Sequence, residues 1–317
     1  MNNSDNYPQL QALQKQYGIL EKIGEGGCGC IFKAEQLSTG QLVAIKISKN
    51  DRSWGKDLAK RVCQQFVREV NICARINHPN IIQLIDAGFL SKFEPFAVFE
   101  YIPGETLKKY ILRNRYLSYT DMANIMGQVL QALVHAHENG VLHGDLKPNN
   151  IMINHYGDKQ HVKVLDLGTG YFIGKDTNSI KGINADKNVP FVSPQYNAPE
   201  QLRGNPPSSK SDLYSWGLIV LECITGQAVV SGQSMSTVFE QQLNTKDVEL
   251  PDNLKYHDLG QLLQQVLKKD WSERYGDTKE LLREFTKLDF ADLRNCSVID
   301  HEIGNLNLDH TIVSIIT

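Results

Sequence analysis

Two polar segments constrain this chain more than anything else in it. They are His143-Gly144-Asp145-Leu146-Lys147-Pro148-Asn149-Asn150 and, further on, Asp166-Leu167-Gly168. Val141-Leu142 leads into the first and Ile151-Met152-Ile153 leaves it, while His161-Val162-Lys163-Val164-Leu165 delivers Asp166. These apolar, β-branched runs read as short strands. Strands bracketing a polar loop hold two carboxylates rigidly over one point. An Asp, a Lys, an Asn and a second Asp at these spacings suit phosphoryl transfer from a metal-bound nucleotide. That chemistry needs one carboxylate to orient the attacking hydroxyl, and an Asn and an Asp to hold metal against the phosphate charge.

Around these segments the chain reads as strands first and helices afterwards. Tyr17 to Ile23 is a short strand, followed by Gly24-Glu25-Gly26-Gly27-Cys28-Gly29-Cys30-Ile31. Glycines at such spacing let backbone amides approach phosphate oxygens without a Cβ in the way. A plain hairpin turn is the competing reading of the same glycines. No helix directly follows them, which disfavours a dinucleotide-binding Rossmann unit. Gln41 to Ile47 alternates as a half-buried strand does, and it carries Lys46 inside an apolar run. The spacing predicts a helix from Lys56 to Arg75, with Val62, Phe66, Val70 and Ile72 or Cys73 on one face. Phe96 to Tyr101 is a buried strand, and Pro103-Gly104 suits a hinge. Further helices are expected over 121–138, 211–226, 258–269 and 277–288, the first stopped by Asn139-Gly140.

The 317 residues suffice for one large domain or two modest ones. A net charge of −3, with 41% hydrophobic and 22% charged residues, argues against a dedicated nucleic-acid or anionic-membrane surface. Cys28, Cys30, Cys63, Cys73, Cys223 and Cys296 show no paired framework, so reduced thiols in a cytoplasmic protein are expected. Met1 to Pro8 lacks an apolar signal core, and the most apolar stretch, Trp216 to Ile224, is too short to span a bilayer.

Taken together, the motifs and their order over 17–290 resemble the Hanks-type, eukaryotic-like Ser/Thr protein kinases. That resemblance implies an α+β, bilobal fold: an N-terminal extension at 1–16, a mainly antiparallel β lobe at 17–101, and a mainly helical lobe at 102–289. A tail or the start of a further domain follows at 290–317. It implies ATP and Mg2+ as cofactors, with Mn2+ as the alternative metal, and proteins with Ser/Thr acceptors as partners. Ile23, Gly24, Gly26, Gly29, Ile31 and Ala44 would surround the nucleotide. Lys46 would contact its phosphates and pair with Glu69, and Phe99 would be the gatekeeper. Backbone groups from Glu100 to Ile102 would meet the adenine, and Glu105 would reach ribose or a basic substrate. Asp145 would steer the hydroxyl proton, Lys147 would stabilise the transferring phosphate, and Asn150 and Asp166 would hold metal. Glu200, in Ala198-Pro199-Glu200, would pair with Arg274; Ser193 would pack by Asp145 and Lys147; Asp212 would buttress the loop.

Several departures shape what is expected. Gly144 stands where most members carry an Arg that binds a phosphorylated residue, so activity is expected to depend little on loop phosphorylation. Leu167 replaces the usual Phe. Asn149 replaces an acidic residue common in Arg-directed members. Thr177 and Ser179 are candidate modification sites. Two other classes stay open: a small-molecule phosphotransferase, which shares a His-Gly-Asp-Leu loop but lacks the Ala-Pro-Glu segment, and a non-enzymatic scaffold. The apolar run Thr311 to Thr317 is expected to pair with something, being an exposed strand otherwise. The stretch Ala198 to Gly204, with Ser211 to Gly226, resembles bacterial signalling kinases.

Overall fold

A computed structural model describes residues 8–26, 29–48, 55–157, 159–167, 193–232, 234–291 and 293. Gly168, Cys28, Thr177, Ser179, Cys296 and the expected strand at 311–317 lie outside the described residues.

The first lobe is a five-stranded antiparallel sheet in the order β1-β2-β3-β5-β4. Its strands are β1 (Tyr17–Gly26), β2 (Gly29–Gln36), β3 (Gln41–Ser48), β4 (Leu84–Ser91) and β5 (Glu94–Glu100). In β3 the side chains alternate as the pleat demands: Val43, Ile45 and Ile47 are buried in the lobe's core, so Ala44 and Lys46 take the opposite face. β1 extends past Ile23, where a loop was expected, and runs through Gly26. The glycine pattern therefore sits in the two arms of a hairpin, with Gly24 opposite Ile31 and Gly26 opposite Gly29.

Helix α1 (Lys56–Cys73) packs on this sheet, and its buried seam runs through Cys63, Phe66, Ile72 and Cys73. Val62 and Val70 are only half-buried. Phe66, Ile72 and Cys73 lie on the expected face, and Cys63 rather than Val62 completes its buried seam.

Leu10 and Leu13, from the stretch set apart above as an extension, belong to the core of the first lobe. A 3-10 turn over Pro8–Ala12 puts Leu10, fully buried, and Leu13 against Tyr17, Phe32 and Val98. Tyr17 Oη donates to Asp86 Oδ2 at 3.2 Å and ties β1 to β4. Leu10→Ala is expected to cost about 2–5 kcal/mol, by lost burial and an unfilled cavity. Chemical denaturation should show that loss, and a change below about 0.5 kcal/mol would contradict the packing described.

The second lobe is helical: α2 (Leu107–Asn114), α3 (Tyr119–Glu138), α4 (Pro199–Leu202), α5 (Ser209–Thr225), α6 (Met235–Leu243), α7 (Asp258–Val266) and α8 (Thr278–Lys287). Ser118 caps α3 by accepting from Asp121 N at 3.0 Å, which starts that helix before Asp121. α5 is buried along almost its whole length. Its Trp216 donates to Met126 O on α3 at 3.0 Å and meets Phe285 of α8 edge-on. This makes α5 the post around which the lobe is built.

Between the lobes lies a small sheet of β6 (Glu105–Thr106), β7 (Ile151–Tyr156) and β8 (Lys159–Val164), in the order β6-β7-β8. A parallel bridge from Ile81 to Val164 joins it to the segment before β4. Lys163 Nζ reaches Glu100 at 2.6 Å and clamps the end of β5 to this sheet. Among the described residues, no helix is long and apolar enough to cross a membrane.

Candidate active site

Three elements converge on the cleft face of the β-lobe. Lys46, projecting from β3, donates to Glu69 Oε2 of α1 at 3.2 Å and to Asp166 Oδ1 at 2.9 Å. One cation is thus shared by two carboxylates from different lobes. Burial raises the Glu69 carboxyl, against the pull of Lys46. The Lys46 ammonium draws the Asp166 carboxyl below its ordinary range despite an opposing burial effect. Asp166 takes φ +49°, one of two positive-φ non-glycine residues among those described. Such backbone is sparsely populated outside glycine and collects at functional sites.

The loop between α3 and β7, where no strand forms at Val141-Leu142, supplies the next group. Lys147 Nζ donates to Asp145 Oδ2 and to Ser193 Oγ, both at 2.7 Å. Asn150 Nδ2 donates to Asp145 O at 3.0 Å, and Leu165 N donates to Asn150 O at 2.8 Å. These bonds link Asp145, Asn150 and the strand end that carries Asp166 in one lattice. The Asn150 amide donor faces the loop, which leaves its carbonyl oxygen as the atom available to a cation.

What holds this loop is buried in the helical post. Asp212 of α5, 1% exposed, accepts from His143 N and Gly144 N at 2.8 Å each. Burial alone would raise the Asp212 carboxyl; its hydrogen bond and charge interaction with His137, with His143 and the Gly144 N–H, reverse that and leave it below its ordinary range. His137 bridges Asp212 and Thr278 of α8 at 2.8 Å each. Gly144 has φ +76°, a left-handed conformation that a Cβ makes costly. Its carbonyl accepts from Gln201 Nε2 at 2.8 Å, and Gln201 Oε1 accepts from Ala198 N at 3.0 Å. Both ends of the Gly144 peptide are therefore held by protein. Asp212 was anticipated from its motif; Gln201 was not, since a helix glutamine carries no signal in sequence.

The expected nucleotide-contacting residues distribute unevenly. Ala44 lies opposite Phe99 across β3 and β5. Gly29 has φ +152°, and a Cβ there would sit 1.9 Å from Ile47 O, so the hairpin admits only glycine at that point. Ile23 is substantially exposed on β1. Glu100 N donates to Gln83 O, and its carboxylate is taken by Lys163 and Gln83 N. Its N–H and its carboxylate are therefore both engaged within the protein. Ile102 follows it, half-buried, just before Pro103. Glu105 stands apart from the Lys46 cluster, ion-paired with Arg113 at 2.7 Å.

Beyond the loop, Glu200 of α4 and Arg274 form a buried pair at 2.7 and 3.1 Å, with Ser211 Oγ donating to Glu200 at 2.7 Å. Tyr196 Oη donates to Glu222 Oε2 at 2.7 Å, and Lys108 closes that group at 2.7 Å. Burial, followed by the Glu222 charge, pushes the Tyr196 phenol up.

Comparison with known proteins matches this architecture to one family. The protein kinase domain family matches residues 17–286. Serine/threonine-protein kinase PrkC of Bacillus subtilis is 34% identical over 238 residues, 74% of this chain and 34% of that protein. Serine/threonine-protein kinase pkn3 of Myxococcus xanthus is 37% identical over 219 residues, 68% of this chain and 39% of that protein. A probable serine/threonine-protein kinase PknB of Lactococcus lactis is 30% identical over 275 residues, 85% of this chain and 41% of that protein. The chain thus spans about a third to two fifths of the length of these curated relatives. With the antiparallel β-lobe, the helical lobe and the match across both, the chain belongs to the protein kinase domain family, and its relatives here are bacterial serine/threonine-protein kinases.

Proposed function

We propose that this chain transfers the γ-phosphate of ATP to Ser and Thr hydroxyls of proteins. The observation that carries the reading is the array Asp145–Lys147–Ser193, joined at 2.7 Å, beside the Lys46–Asp166 contact at 2.9 Å. A hydroxyl entering between these groups meets a carboxylate for its proton and cations for the moving phosphate.

The donor chemistry fits a hard divalent cation. Asn150 and Asp166 offer only oxygen donors, and among the described residues no cluster of three His, Cys, Asp or Glu forms a closed metal cage. Mg2+ prefers such a site, with few protein ligands and the remainder from water and phosphate; Mn2+ accepts the same donors. When bound, the cation supplies charge neutralisation to the phosphates.

The chain's own groups account for the remaining steps. The β1–β2 hairpin, with Gly24, Gly26 and Gly29 and flanking Ile23 and Ile31, covers the nucleotide, and Lys46 neutralises its phosphates while Glu69 orients Lys46. Ala44, Phe99 and the 100–102 segment bound the base. Asp145 orients the acceptor hydroxyl and receives its proton. The hydroxyl oxygen bonds to the γ-phosphorus as the bond to the bridging oxygen breaks, and ADP leaves. Lys147 balances charge on the transferred group. Incubation with γ-labelled ATP and Mg2+, followed by phosphoamino-acid analysis of a protein acceptor, tests the whole reading.

Turnover depends little on loop phosphorylation. Gly144 supplies no guanidinium for a phosphate, and the 143–150 loop is held instead by Asp212 on the Gly144 N–H and Gln201 on its carbonyl. A phosphatase-treated sample is expected to keep at least half its initial rate; a loss of more than tenfold would contradict this. The role is cytoplasmic signalling, with residues 290–317 contacting a further domain or partner.

A further inference from the structure

A fully buried amide lies outside every step above. Gln242, at the end of α6, is completely buried. Its Nε2 donates to Pro194 O at 3.3 Å and to Gln195 O at 3.1 Å. Its Oε1 accepts from Tyr214 Oη at 2.8 Å and from Lys269 Nζ at 3.3 Å. Both donors and the acceptor are therefore used, the full capacity of a carboxamide in one place.

Lys269 explains why a polar side chain is tolerated so deep. It is 7% exposed and also donates to Gln241 O and Gln242 O, at 2.9 Å each. Those are carbonyls that the end of a helix leaves without intrahelical partners. The end of α6 is thus fixed by one ammonium, and its last buried side chain reaches across to a different segment.

That segment adjoins the Asp145–Lys147 pair. Ser193, immediately before Pro194, accepts from Lys147, which is itself bonded to Asp145. Residues 193–196 therefore begin two hydrogen bonds from the carboxylate that faces the acceptor hydroxyl. Tyr196 O is held separately, accepting from Ser215 Oγ at 2.7 Å. Pro194 is buried, while Ser193 and Gln195 remain partly open to an approaching chain.

We propose that Gln242 is a positioning residue for the protein acceptor. It sets the 194–195 backbone against which the acceptor chain lies and leaves the nucleotide side untouched. This rests on the acceptor being a polypeptide, as argued above. Gln242 touches no reacting atom, and its effect passes through residues 193–195. Lys46 is held by Glu69 and Asp166 rather than by Gln242, so nucleotide affinity is expected to change little.

The test uses Gln242→Glu in the full chain. That change keeps size and the acceptor oxygen, gains a charge partner in Lys269, and removes both donors. With dephosphorylated casein as acceptor, the KM for casein is expected to rise about tenfold, as for the loss of buried hydrogen bonds. The KM for ATP should stay within twofold even though the melting temperature falls by several degrees, because two buried carbonyls lose their donors. Tyr214→Phe, which removes only the bond on the far side of the amide, should leave the casein KM unchanged. An unchanged casein KM in Gln242→Glu overturns the proposal, as does a parallel rise in both KM values. Casein affinity, measured in parallel by calorimetry, separates the two readings. If the wild type binds casein without transferring phosphate, the activity reading fails, and the Gln242 proposal still stands or falls on the variant's affinity.

Discussion

Replacing Arg274 with Ala is expected to lower the melting temperature by about 10 °C and to cost about 3–5 kcal/mol. The guanidinium is 3% exposed and makes paired bonds to Glu200 at 2.7 and 3.1 Å. It also donates to Lys268 O and Lys210 O and lies 4.7 Å from the Tyr214 ring. Removing it strands a carboxylate that is 5% exposed, and an unpaired buried charge costs more than the pair contributed. Ser211 alone remains to satisfy Glu200. The consequence reaches the site, because Glu200 sits one residue from Gln201, the side chain that holds the Gly144 carbonyl. Turnover should therefore fall along with stability. Calorimetry on Arg274→Ala checks the first part, and a shift under 2 °C would show that the pair is not the anchor described.

Asp145→Asn is expected to reduce turnover by about 10²–10⁴-fold with little change in nucleotide affinity. Asn keeps the shape of the side chain and can still accept from Lys147, so the lattice around it persists. What it loses is the basicity needed to receive the hydroxyl proton. Lys46 keeps its contacts with Glu69 and Asp166 in this variant, so the ATP KM should move by less than threefold. Steady-state kinetics on both substrates distinguish these effects. Turnover within fivefold of the wild type would remove Asp145 from its assigned role.

Much of this arrangement was legible because it is written in short contiguous motifs. Lys46 in an apolar strand, Asp145 and Lys147 two residues apart, and Asp166 after a β-run each carry their own local context. The pairing of Glu200 with Arg274 was legible only through the resemblance, since nothing local links two residues so distant in the chain. The rest was hidden for physical reasons. A 3-10 turn is too short to show periodicity, so Leu10 and Leu13 looked like part of an extension. The residue that completes the buried seam of α1 is decided by how its face meets the sheet, and Cys63 won over Val62 by packing alone. Gln201 and Gln242 look like ordinary helix surface until the fold brings backbone carbonyls to their amides. Glu105 shows the reverse: a position marked by resemblance whose carboxylate is engaged by a neighbour, Arg113.

The most direct test of the central claim is the fate of the γ-phosphate. The purified chain is incubated with γ-labelled ATP, Mg2+ and casein, with a panel of aminoglycoside-like small molecules in parallel, and the labelled products are hydrolysed and separated. The account predicts phosphoserine and phosphothreonine in protein, absent when Asp145→Asn replaces the wild type. Label on small molecules alone, or no transfer while nucleotide remains bound, would contradict it.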